Sequence, residues 1–81
     1  MPTVLWLNGF RFFFYSNDHK PKHIHIEKDG KTAKFNIDPV ELVKSKRFNA
    51  SEMKKVRLMI EDNVELFKLR WNEYFNNKQV P

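Results

Sequence analysis

The chain has 81 residues and a mass of 9.8 kDa, enough for one small core and too little for a second domain or a large cofactor-binding fold. Fifteen Lys and Arg against ten Asp and Glu leave a net charge of +5, and a hydrophobic share of 41% with 15% aromatic residues marks a globular rather than a disordered composition. The absence of cysteine excludes a disulfide-stapled fold, a thiolate metal site and a thiol nucleophile. No apolar run approaches the roughly 20 residues of a membrane helix, and Met1-Pro2-Thr3 has no signal-peptide character, so a soluble cytoplasmic protein is expected.

The first half alternates with period two and the second with a helical period, with no linker between them, which predicts one α+β domain. The expected layout is hairpins over 1–37, helices over 38–75 and a flexible tail over 76–81. Thr3 to Leu7 and Phe10 to Tyr15 flank Asn8-Gly9, and His23 to Lys28 and Lys31 to Ile37 flank Asp29-Gly30. Both dipeptides favour type I′ turns, so two hairpins and a four-stranded antiparallel sheet are expected. Two-residue turns fix register: Leu7 faces Phe10, Leu5 faces Phe12, Ile26 faces Ala33 and Ile24 faces Phe35. These residues, with Phe14 and Ile37, form the expected core face. The opposite face then carries Val4, Trp6, Arg11, Phe13, Tyr15, His23, His25, Glu27, Thr32, Lys34 and Asn36, because an unpaired buried guanidinium at Arg11 would be costly.

Asp38-Pro39-Val40-Glu41 has the grammar of a helix start, with Asp38 as N-cap, Pro39 at the first helical position and Glu41 closing a capping box. A short helix near 39–46 is expected from it. Asn49 and Glu52 repeat the pattern, and Met53, Val56, Ile60, Val64, Phe67, Trp71 and Tyr74 make one apolar stripe, predicting a long helix near 50–75 that covers the sheet. Leu58, Met59, Leu66 and Leu69 widen this stripe and allow contact with the short helix or with a second copy of the chain.

All three histidines lie within seven residues, in His19-Lys20-Pro21-Lys22-His23-Ile24-His25. On a strand, His23 and His25 project to one side about 7 Å apart, and His19 in the preceding loop can close a three-nitrogen metal site. The same three residues, beside Arg11, Tyr15 and Lys34, also supply the side-chain types of metal-independent RNA cleavage: a proton donor, a proton acceptor and a cation for the developing charge. The plainer alternative is that the histidines order the loop or cover the sheet. A second candidate is the run in which Lys44, Lys46, Arg47, Lys54, Lys55 and Arg57 oppose only Glu52. Such a patch attracts a phosphate backbone, with the aromatics Phe13 and Tyr15 available to stack bases, or an acidic protein partner. No phosphate-binding glycine loop, Ser-His-Asp set or cofactor motif is present in the sequence, and no cofactor is expected.

Met1-Pro2-Thr3-Val4, Gly9 to Asn17, His19-x-Pro21-x-His23-x-His25, Asp38-Pro39-Val40-Glu41-Leu42 and Trp71-Asn72-Glu73-Tyr74-Phe75 together resemble a family of small bacterial and archaeal proteins, a domain of unknown function. Members often carry two prolines before the middle histidine, where this chain has Lys22. Genes of that family commonly neighbour another small uncharacterised family, and the pair has been proposed as a toxin–antitoxin system. The resemblance therefore implies a small partner protein encoded nearby and RNA or DNA as a target.

Overall fold

Successive residues with positive φ are what a type I′ turn demands, and the chain supplies them twice: Asn8 and Gly9 at 51° and 83°, Asp29 and Gly30 at 50° and 78°. In the computed structural model, which describes residues 3–76, these turns join β1 (Thr3–Leu7) to β2 (Phe10–Phe13) and β3 (His23–Lys28) to β4 (Lys31–Ile37). Leu7 pairs with Phe10, Leu5 with Phe12, Ile26 with Ala33 and Ile24 with Phe35, as two-residue turns dictate. β2 and β3 pair antiparallel with Phe12 opposite Ile26 and Phe13 opposite His25.

The short helix expected over 39–46 is a fifth strand, β5 (Val40–Lys46), and the sheet is an antiparallel meander in the order β1-β2-β3-β4-β5. Ile37 pairs with Val40 directly across Asp38-Pro39, a cis peptide, and this pairing makes the dipeptide the turn of a hairpin and not the start of a helix. Two physical facts favour the strand. After Val43 the chain runs Lys44-Ser45-Lys46-Arg47 with no apolar residue to continue a helical stripe, and β4 would otherwise present a full unpaired edge. A bulge at Val43 resets the register: Leu42 faces Phe35 before it, and Lys44, Ser45 and Lys46 face Lys34, Ala33 and Thr32 after it.

Helix α1 (Ala50–Asp62) begins with the predicted capping box: the Glu52 N–H donates to Asn49 Oδ1 at 2.8 Å and the Asn49 N–H to Glu52 Oε1 at 3.0 Å. The single long helix expected over 50–75 is interrupted at Asn63, whose Nδ2 donates to the Met59 carbonyl at 2.8 Å, a local bond that competes with the helical ladder. Helix α2 (Val64–Trp71) follows, then a π-helical turn, Asn72–Asn76. The wider turn lets both Tyr74 and Phe75 reach the Phe14 ring, at 6.4 and 5.7 Å between centroids. Apart from Asn76, the expected flexible tail lies outside the described residues.

Phe12, Ile24, Ile26, Phe35 and Ile37 from one face of the sheet meet Val56, Ile60, Phe67 and Trp71 from the helices, all buried. Each contributes roughly 1.5–3 kcal/mol by leaving water, which offsets the entropy of ordering so short a chain. Two residues depart from the face expected of them. The irregularity between Thr3 and Leu5 turns Val4 onto the core. His23, expected to point away from the core, is 4% exposed, with its ring tilted against Trp71 at 5.1 Å. Because β2 ends at Phe13 opposite His25, no β2 residue stands beside His23, and its ring fills the end of the sheet.

Candidate functional site

The face of the sheet turned away from the helices gathers the polar chemistry. Lys34 lies directly opposite Lys44, and Thr32 opposite Lys46, so three ammonium groups share one corner of that face. With Phe13, Tyr15 and His25 they line a concave pocket of about 430 Å³. Like charges set across a strand pair repel each other. The arrangement does nothing for stability, and a bound anion would relieve it.

The other sequence candidates on this face are already engaged. Arg11 donates from Nη1 to Glu27 Oε1 at 2.7 Å and from Nε to Thr3 Oγ1 at 2.9 Å, and its guanidinium lies 4.3 Å above the Phe13 ring. Phe13 is 3% exposed and stacks at 5.5 Å on His25, so it has no free face for a base. Tyr15, at 42% exposure, is the aromatic of the pocket open to a ligand. It meets His25 edge-on at 4.6 Å.

The basic run does not form a single patch. Lys44 and Lys46 face the pocket, whereas Lys54, Lys55 and Arg57 belong to α1, on the other side of the sheet. Arg57 lies 5.6 Å from the Phe35 ring and Lys55 beside Phe10 and Lys28. Arg47, at φ 74°, makes the bend between β5 and α1.

The histidines are also divided. His19 is exposed in the loop and does not join the other two. Asp18 takes its place: its carboxylate lies 3.1 Å from His23 Nε2 and 3.3 Å from His25 Nε2. The carboxylate is held by the Tyr15 N–H, which donates to Oδ2 at 2.9 Å, while the Asp18 N–H donates back to the Tyr15 carbonyl at 3.1 Å. His23 Nδ1 donates to the Pro21 carbonyl at 2.8 Å. A carbonyl only accepts, so Nδ1 carries the proton and Nε2 faces Asp18. Oδ1 nevertheless lies off the direction of a hydrogen bond, and Nε2 is buried with no hydrogen-bond partner.

Burial pushes the Asp18 carboxyl up, but the Tyr15 N–H and the neighbouring His23 and His25 rings outweigh it, leaving the carboxyl below its ordinary range. Burial lowers the His25 pKa. The Asp18 charge and hydrogen bond oppose this without cancelling it, and His23 and Lys34 add to the fall. The result is an ionised carboxylate facing a neutral imidazole at neutral pH.

Asp18 escaped the sequence reading because a loop residue has no periodicity to place it. The signal was its position, as the one acidic residue between β2 and β3, five residues before a His-x-His strand. No curated protein and no solved structure matches the chain. The profile of a family described as Domain of unknown function (DUF4160) matches residues 9–72, a span that holds β2 to β5, both helices and the Asp18, His23 and His25 cluster; the chain belongs to this family.

Proposed function

We propose that the open face of the sheet binds single-stranded nucleic acid, RNA in the first instance, as the target-binding surface of one member of a toxin–antitoxin-like pair. The observation that carries this reading is the convergence of Lys34, Lys44 and Lys46 beside Tyr15 in one concave pocket. Lysines on adjacent strands follow a phosphate backbone, and an exposed ring at the end of the track takes a base by stacking, without sequence preference. The resemblance described above supports the pairing with a small partner protein. β5 supports it too: it is an edge strand with Leu42 and Val43 at 40% and 46% exposure, the kind of edge to which a partner adds a strand.

Anisotropy titrations with short labelled RNA and DNA test the reading. Three lysine–phosphate contacts on a single strand give a log–log salt slope of about −2, or about 20-fold weaker binding between roughly 50 and 200 mM salt. Replacing Lys34, Lys44 and Lys46 with Gln should abolish that dependence, whereas Lys54→Gln with Lys55→Gln should leave it intact. Salt-independent binding, or an undiminished affinity in the triple variant, overturns the reading. Growth arrest on expression of the chain alone, relieved by its neighbour's gene, tests the pairing.

A second reading, metal-independent RNA cleavage, is favoured by one residue. His25 lines the pocket beside Lys34 with a neutral imidazole available as a base. His19 and His23 do not reach the pocket, so a second proton-transfer group would have to be Tyr15. Cleavage of a labelled RNA in the presence of chelator, lost in His25→Gln, is the outcome this reading requires.

A further inference from the structure

The Asp18, His23 and His25 cluster has a feature that neither loop ordering nor nucleic-acid binding calls for. His23 is buried, its Nδ1 proton is committed to the Pro21 carbonyl, and the remaining Nε2 has no hydrogen-bond partner although a carboxylate oxygen lies 3.1 Å away. A proton shared between ring nitrogen and carboxylate would draw the oxygen onto the nitrogen's axis. A metal ion occupies that axis itself, and a second ligand then stands to one side of it.

The donor separations have the scale of a metal site. With bonds of about 2.0–2.1 Å, neighbouring ligand atoms stand about 3.0 Å apart in octahedral and about 3.4 Å apart in tetrahedral coordination. The distances from Asp18 to His23 Nε2 and to His25 Nε2 are 3.1 and 3.3 Å. All three donor atoms lie within 4.8 Å of one another, and a small rotation of the His25 ring, which slides on the Phe13 face it stacks against, brings the two nitrogens to tetrahedral spacing. The surrounding bonds are also those of a metal site, in which a backbone carbonyl fixes the ligating histidine's tautomer and a second donor holds the carboxylate. Here Pro21 does the first and the Tyr15 N–H the second. Trp71 and Phe13 enclose the rings.

We infer that Asp18, His23 and His25 bind a divalent first-row transition-metal ion, through one carboxylate oxygen and the two Nε2 atoms. Two imidazoles favour zinc, cobalt, nickel or iron over magnesium and calcium, which prefer all-oxygen shells. Three protein ligands leave at least one coordination position open, at the end of the lysine-lined pocket that His25 shares. The metal site needs none of the lysines, so either assignment can fail while the other stands. Metal on His25 Nε2 would, however, displace the proton that Asp18 holds there onto Nδ1 and so block the base that the metal-independent cleavage reading needs.

Metal-stripped protein titrated with Co²⁺ should develop a visible d–d spectrum at one equivalent. Zn²⁺ should displace that signal and raise the melting temperature with the logarithm of its excess over its dissociation constant. His25→Gln and Asp18→Asn should weaken binding at least about 100-fold, more than the loss of an outer-shell partner, while the exposed His19→Gln leaves it unchanged. If Asp18→Asn does not fold, His25→Gln carries the test alone. No cobalt spectrum, equal stabilisation by magnesium, or a His19→Gln effect as large as that of His25→Gln would overturn the inference.

Discussion

The rings of His23 and Trp71 lie 5.1 Å apart at a 58° tilt, joining the histidine strand to the last turn of α2. The contact makes His23 part of the wall of the core, while His25, two residues on, remains on the sheet's open side. The two histidines should therefore behave differently as variants. His23→Ala removes a buried ring and the Pro21 hydrogen bond and should cost about 2–3 kcal/mol. His25→Gln, at a position 16% exposed where the amide keeps a polar group beside Asp18, should cost about 1 kcal/mol. Urea denaturation of metal-free protein measures both, and equal losses would mean that His23 is not held as described.

Trp71 contacts Phe14, His23 and Phe75, at 5.3, 5.1 and 4.2 Å between centroids. Trp71→Ala should cost about 3–5 kcal/mol, a large part of the stability of any domain this small. Loss of the cooperative thermal transition is the expected result; a melt within a few degrees of wild type would contradict the packing.

Glu52 accepts from Lys31 Nζ at 2.6 Å and from the Asn49 N–H at 3.0 Å. The Lys31 bond, with the Asn49 bond, holds its carboxyl below the ordinary glutamate range. A depressed folded-state pKa means that this contribution is complete above the ordinary value and is lost as pH falls through the folded one. Wild type should therefore exceed Glu52→Gln in stability at neutral pH, with the gap closing in acid and narrowing with salt, since solvent and ions reach the partly exposed pair. Denaturation midpoints of the two proteins from pH 7 to pH 3 check this; a gap independent of pH would show that the charge contributes nothing.

How much could be read from the sequence follows from what constrains each segment. Asn8-Gly9 and Asp29-Gly30 leave two residues no alternative to φ > 0, so both hairpins and their registers were legible. Asn49 and Glu52 precede a long apolar stripe, so their capping box could be trusted. Asp38-Pro39 starts a helix or turns a hairpin equally well. The choice depended on the open edge of β4, a tertiary fact that no local pattern states. The same holds for the site. His23 and His25 announced themselves by alternation, but Asp18 was found only once the loop was folded beneath them. Arg11 and Phe13 have the residue types of a binding surface, yet Glu27 and the Phe13 ring engage the first and His25 covers the second.

Arg11 offers a test of that last distinction. By residue type it is a phosphate ligand, yet its side chain is 13% exposed, bound to Glu27 and Thr3 and laid over Phe13. Its partner Glu27 is 44% exposed, so solvent screens the ion pair and most of its worth lies in covering the ring and in the cation–π contact. Arg11→Ala should lower stability by about 1–2 kcal/mol and leave the salt slope of RNA binding unchanged, because no phosphate contact is removed. Lys44→Gln should do the reverse, reducing the slope by about 0.7 with little effect on the melt. Chemical denaturation and anisotropy on the same two variants separate the roles. If Arg11→Ala lowered the slope as Lys44→Gln does, Arg11 would belong to the binding surface, and its bond to Glu27 would have to open in the complex.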